Sequence, residues 1–208
     1  MNSDYVQFGC GLSVPLSWRN FDNSPTLRLQ RLAIVGQMFR SKRFPQWPGN
    51  VEYGDVVTGL PVQPNSVKAI YCSHVLEHLA LNDFRRALGH IHSYLIQGGF
   101  FRLVVPDLEY LSRNYLASTD AEAAHSFMQS TLLGYPNRTR GLEGLARNVF
   151  GNSHHLWMWD YKSIASELEK AGFHQVRRAQ YHDSSEPQYV DVEELGRWEN
   201  NLGVECIK

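Results

Sequence analysis

Residues 54–107 read GDVVTGLPVQPNSVKAIYCSHVLEHLALNDFRRALGHIHSYLIQGGFFRLVVPD. Val67 to Cys72 is β-branched and apolar enough for a strand, and Ser73-His74 breaks it. From Asn82 the pattern turns helical. Phe84, Leu88, Ile91 and Leu95 recur on one face, with Asn82 as the expected N-cap and Gly98-Gly99 as the expected stop. Phe100 to Val105 is apolar almost throughout and closes at Pro106, as suits a strand buried on both faces. Strand, helix, strand in that order is a parallel unit joined by a crossover helix.

The same alternation extends outward. Tyr5 to Phe8 and Trp18 to Phe21 are short β-prone runs, the first stopping at Gly9-Cys10-Gly11 and the second at Asp22-Asn23-Ser24-Pro25. A helical segment follows near 26–36, then a proline-rich loop at 41–50 and a weak strand at Val51 to Tyr53. Later, Asp160 is placed to cap a helix carrying Tyr161, Ile164 and Leu168 on one face, with Gly172 ending it. His174 to Tyr181 and Leu202 to Ile207 complete seven strands. The last two are joined by a polar segment with no long helix, which predicts an antiparallel edge. The fold class is therefore α/β: a Rossmann-like, doubly wound, mostly parallel seven-stranded sheet with an antiparallel edge strand.

Bulk properties narrow the function classes. The chain has 208 residues and a formal net charge of −1, so no bulk field favours nucleic acid or an anionic membrane. Arg28, Arg31, Arg40, Lys42 and Arg43 form a local basic cluster that reads as a solvated helix face and loop. Three cysteines, Cys10, Cys72 and Cys206, are widely spaced without a CxxC. That suits reduced thiols rather than disulfides or a zinc knuckle. The N-terminus lacks a basic stretch followed by an apolar one, and no apolar run approaches the ~20 residues of a membrane helix. A cytoplasmic protein with no membrane span is expected. Nothing in the sequence sets an oligomeric state.

Chemistry-bearing residues gather at the strand ends. Gly9-Cys10-Gly11 allows a tight turn and close backbone approach by a ligand, although a plain turn reads equally well. Asp22 at the end of the second strand can accept two ribose hydroxyls, or can serve as a turn residue. Gly54-Asp55 follows the third strand and Ser73-His74-Val75-Leu76-Glu77-His78 the fourth. Ligands of open α/β sheets bind at these ends. A nicotinamide oxidoreductase is disfavoured, because Gly9 to Val14 lacks the third glycine of G-x-G-x-x-G.

The stretch 54–107, with "SHVLEHL" and "GGFFRLVVP" as its most specific parts and "DYKSIASELEKAGF" near the end, resembles the class I S-adenosylmethionine-dependent methyltransferases, particularly the type 11 group. The resemblance covers most of residues 5–181. It implies one methyltransferase domain over 1–208, with 107–157 as a helical cover segment, and S-adenosyl-L-methionine as cofactor. Phe8, Gly9, Cys10 and Gly11 would line its methionine part. Asp22, helped by Asn23, would bind the ribose, and Asp55 and Val56 would flank the adenine. Ser73 and His74 would face the sulfonium. The implied acceptor is a small molecule or glycan precursor methylated on oxygen or nitrogen. The alternative is a non-catalytic S-adenosylmethionine-binding regulatory or partner protein. One departure stands out: only ten residues lie between Gly11 and Asp22, too few for the usual crossover helix.

Histidine suits proton removal from an acceptor near neutral pH. His74, His78 and His155 are the candidates, with His154 beside them, each otherwise readable as a loop or cap histidine. Trp157, Trp159 and Tyr161 suit either an acceptor wall or the core. His74-Val75-Leu76-Glu77-His78 also matches H-x-x-E-H, an inverted zincin motif. That reading requires helix from His74 onward so that two histidines converge on one metal, whereas His74 follows directly on a strand. No metal is expected.

Overall fold

The computed structural model describes residues 4–32, 36, 45–134 and 154–208. The parallel strands β1 (Tyr5–Phe8), β2 (Arg19–Asp22), β3 (Val51–Tyr53), β4 (Val67–Ser73) and β5 (Leu95–Pro106) are followed by β6 (His174–Ala179) and β7 (Asn201–Ile207). They form one sheet in the order β3-β2-β1-β4-β5-β7-β6, with β7 antiparallel to both β5 and β6. The expected seven strands and antiparallel edge are present. The direction of winding reverses between β1 and β4, and that is where such sheets open a crevice at their C-terminal ends.

The helices are α1 (Pro25–Gln30), α2 (Leu81–Tyr94), α3 (Leu108–Ala117), α4 (Ala123–Ser130) and α5 (Tyr161–Lys170). Strand alternation sends Val6, Ile70, Cys72, Phe101 and Leu103 to one face of the sheet. There they meet Phe84, Leu88 and Ile91 of α2 and Ile164 and Leu168 of α5, all buried. Trp159 packs on Phe84 with ring centroids 4.2 Å apart and is fully buried, so it belongs to the core rather than to an acceptor wall.

Two helix boundaries differ from the sequence reading. The N-cap of α2 is Ala80, not Asn82, and α2 ends at Tyr94, so Gly98-Gly99 lies inside β5. Leu95 already pairs with Val67, and the register then shifts before Ala69 meets Phe100. The glycine pair belongs to that irregularity, where Gly98 has φ +77°. Of the region expected to be a cover segment, α3 and α4 are described, and residues 135–153 lie outside the described residues, as does most of the segment 33–44.

The opposite face is covered without long helices. Ala69, Tyr71 and Val104 there pack against Trp18, Tyr189, Val192 and Trp198. The segment carrying the last three runs through two 3-10 turns, Pro187–Asp191 and Leu195–Arg197. The Tyr189 hydroxyl donates to the Ile70 carbonyl (3.2 Å), and the Trp18 indole N–H donates to the Gln188 carbonyl (3.2 Å). This cover explains how β1 and β2 pair in parallel across a ten-residue connection: the C-terminal segment fills the space a crossover helix would take.

Asp160 caps α5 as expected, in a reciprocal capping box with Ser163. Hydrogen bonds from the Ser163 hydroxyl and amide hold its carboxyl below the usual carboxylate range. Asp160→Ala should lower stability by about 1 kcal/mol near neutral pH. A depressed carboxyl stabilises the fold above its unfolded pKa of about 3.9 and loses that effect as pH falls through its lower folded value. Urea titrations of the two proteins should therefore begin to converge only below about pH 4, as the capping carboxyl takes up its proton.

Candidate active site

Phe8 and Gly9 at the tip of β1, Asp22 and Asn23 at the tip of β2, Asp55 and Val56 after β3, and His74 and His78 after β4 all line one cleft of about 620 Å³. That lies within the ~300–1,000 Å³ typical of cofactor and small-ligand pockets. Cys10, Gly11 and Ser73 are not among its lining residues. His155 is buried and stands behind His78, with the two rings edge to face and centroids 5.0 Å apart.

Local chemistry fixes each group. Gly9 has φ +64°, and a Cβ there would overlap Val75 Cγ2, so the turn requires glycine. The Gly11 amide donates to Asp22 Oδ2 (3.0 Å) and the Ser24 amide to Oδ1 (2.8 Å). The carboxylate thus ties the glycine turn to β2, and each oxygen keeps a lone pair for a ligand. Burial pushes the Asp22 carboxyl up, and those two amides oppose the shift. Burial and the Asp22 charge push the Cys10 thiol up to about 12, so Cys10 offers its backbone rather than a nucleophile. Asp55 Oδ1 accepts from the Val57 amide (2.8 Å), which fixes the carboxylate within its turn at the cleft lining.

His74 has φ +55°, a left-handed conformation uncommon for a residue with a Cβ and typical of functional turns. Helix therefore does not run from His74, which removes the geometric basis of the zincin reading. Its Nε2 lies 3.1 Å from the Arg197 carbonyl. A carbonyl only accepts, so Nε2 carries a proton, and on the other side of the ring Nδ1 lies 3.3 Å from Glu77 Oε1. His78 Nδ1 likewise meets the His154 carbonyl at 3.0 Å. Burial holds His155 below the usual imidazole range, with the Glu77 carboxylate pulling the other way.

A family model for the methyltransferase domain matches residues 20–177. The chain belongs to the methyltransferase-domain family. The enzyme is thus an S-adenosylmethionine-dependent methyltransferase by family and fold. No curated protein matches it in sequence. Among solved structures, a SAM-dependent methyltransferase from Archaeoglobus fulgidus superposes with a TM-score of 0.51 at 14% identity, covering 98% of this chain and 85% of that one. A Thermotoga maritima SAM-dependent methyltransferase, described as a possible histamine N-methyltransferase, gives 0.51 at 17% identity, covering 98% and 81%. A chain from the complex of the Haloferax volcanii Trm112 activator with its putative methyltransferase gives 0.51 at 15%, again covering 98% and 81%. At these identities the likeness is one of fold.

This methyltransferase also has cleft residues that sequence reasoning passed over. Tyr53 is partly exposed on the cleft, and the Arg28 guanidinium lies 5.7 Å from its ring centroid. An aromatic residue directly before an acidic turn was the available signal for Tyr53. Arg28 was hidden inside a basic cluster that looked like a solvated face. Trp157 is substantially exposed, and the Tyr161 hydroxyl donates to the Val176 carbonyl (3.0 Å). Among the described residues, no helix is long and apolar enough to cross a membrane.

Proposed function

We propose that the cleft holds S-adenosylmethionine across the strand tips and transfers its methyl group to an oxygen or nitrogen of a small-molecule or sugar-containing acceptor. The observation that carries this reading is the convergence of Asp22, Asp55, His74 and His78 on one cleft around Gly9. The donor set suits the cofactor. Asp22 has spare acceptor capacity for ribose hydroxyls, with Asn23 beside it. Asp55 and Val56 suit the adenine, Asp55 accepting from its amine. Phe8 and the Gly9 backbone suit the methionine part.

The bound cofactor supplies an electrophilic methyl on a sulfonium, so the hard chemistry is not the protein's. The chain's residues have two tasks. They position an acceptor in line with the reacting bond, about 3–3.5 Å away. They also accept or relay its proton, a role open to His74 or His78 at the cleft wall. The region from α3 to residue 157 follows β5 and precedes α5, and its place suits a cover that selects the acceptor.

Calorimetry with S-adenosylhomocysteine should show one site per chain in the micromolar range or tighter, about −8 kcal/mol. A screen of hydroxyl- and amine-bearing acceptors with methyl-labelled cofactor then tests transfer. Absence of measurable affinity for either adenosyl compound in folded protein would defeat the reading.

A further inference from the structure

Behind the cleft wall, Glu77, His78 and His155 each offer one ligand atom, and these atoms lie within 4.8 Å of one another. Glu77 and His155 are buried, and His78 opens onto the cleft. We propose that Glu77, His78 and His155 form a divalent-cation site whose open positions face the methyl-transfer cleft and hold an oxygen of the acceptor.

The strongest argument is the Glu77 carboxylate. Its side chain is 1% exposed, and neither oxygen has a hydrogen-bond partner among the described residues. A buried carboxylate left so is unfavourable unless a cation meets it. What surrounds it are imidazole nitrogens: His74 Nδ1 at 3.3 Å and His155 Nε2 at 3.9 Å from Oε1. A divalent cation set between Glu77, His78 and His155 would meet the charge of that buried carboxylate directly.

The second argument is that the surroundings orient ligands. His78 donates Nδ1–H to the His154 carbonyl, which leaves Nε2 as a lone pair. Holding a ligand histidine by its other nitrogen on a backbone carbonyl is the usual outer support of a metal site. The Glu77 carbonyl accepts from the Leu156 amide (2.7 Å) and the Trp157 amide (3.1 Å), which fixes the strand of chain bearing His155 against the turn bearing Glu77. Bonds of about 2.0–2.2 Å would require ligand atoms roughly 3–3.5 Å apart, within reach of small side-chain adjustments.

Two imidazoles and a carboxylate suit zinc, manganese, iron(II) or cobalt(II) rather than the all-oxygen cages of calcium or magnesium. Three protein ligands leave positions open, and a His78 whose Nε2 binds the cation no longer accepts a proton, which leaves that task to His74 or solvent. The role in transfer rests on the methyltransferase reading above; the cation site does not. A hydroxyl acceptor held there would lose its proton to solvent more readily. Its oxygen lone pair then forms the O–CH3 bond as the C–S bond breaks and that electron pair returns to sulfur. The ligand set is not the H-x-x-E-H pair of the zincin motif: His74 drops out, and a histidine 77 residues downstream of Glu77–His78's own turn takes its place.

The test uses the full chain stripped with chelator and titrated with cobalt(II) alone, read by its visible absorption, with S-adenosylhomocysteine calorimetry run in parallel. One cobalt(II) per chain is expected, weakened roughly 100-fold or more by His155→Asn and by Glu77→Gln, beyond the ~10–100-fold common for loss of an outer support. Circular dichroism shows which variants fold, and His155→Gln stands in for either that does not. No saturation of the wild type below about 1 mM, or binding that folded variants leave unchanged, overturns the proposal. Cobalt binding without adenosyl binding supports the site while failing the cofactor reading; adenosyl binding without cobalt does the reverse.

Discussion

Asp22→Ala should weaken binding of S-adenosylhomocysteine by roughly 30–150-fold, the largest effect on ligand affinity expected from any one side chain of the cleft. Hydrogen bonds to a charged group contribute about 1.5–3 kcal/mol each, and a net loss of about 2–3 kcal/mol corresponds to that range at tenfold per ~1.4 kcal/mol. The side chain has a second task, since its oxygens accept from the Gly11 and Ser24 amides. Their loss frees the glycine turn from β2 and should lower unfolding stability by about 1–2 kcal/mol. Asp22→Asn keeps one acceptor oxygen without the charge and should fall between. Calorimetry and denaturant unfolding separate the two tasks. Affinity for Asp22→Ala within threefold of the wild type would remove Asp22 from the ligand and leave it a purely structural tie.

The placement of Asp22 at a strand tip was legible in the sequence because its signal is local: an acid at the end of a β-prone run, before good turn chemistry. Asp55 and the glycine turn were legible for the same reason. The strands and α5 could be read because alternation, helical period and the Asp160 cap act within a few residues of chain. What could not be read depends on distant segments. Glu77 looked like one letter of a local motif. Its neighbour His155 reaches it only because the Leu156 and Trp157 amides bond back to the turn. The face that Trp18 shares with Tyr189 was equally invisible, as nothing near Trp18 announces a partner some 170 residues away. The stop assigned to Gly98-Gly99 failed because strand pairing at Leu95 overrode the local signal.

Arg102 shows the same limit most sharply, and its loss should be the most destabilising of the substitutions considered. In sequence it interrupts an apolar strand. In the fold it is fully buried, bonded to Glu193, to Glu205 (2.9 Å) and to the Gln180 carbonyl (2.5 Å), with Asp183 at 3.0 Å and the Trp198 ring centroid at 4.6 Å. Removing one partner of a buried ion pair costs about 3–5 kcal/mol, because the remaining charge stays desolvated. Against a total of about 5–15 kcal/mol, that is a large fraction of the stability of the domain. Arg102→Ala should therefore lower Tm by about 10 °C, at roughly 2–4 °C per kcal/mol for a chain of this size. Arg102→Lys keeps the charge but not the planar fork and should recover only part of the loss. Arg102→Met combined with Glu193→Gln removes the charges of that pair, leaves Glu205 and Asp183 to Arg177 (2.5 and 2.7 Å), and should be less destabilised than Arg102→Ala, which strands the Glu193 charge. The network also reaches the active site. It anchors the segment that ends at Arg197, whose carbonyl holds the His74 ring. A loss below about 1 kcal/mol for Arg102→Ala in denaturant titrations would mean that Glu193 and Glu205 find water or protons instead, and that the far face of the sheet is held by its aromatic packing alone.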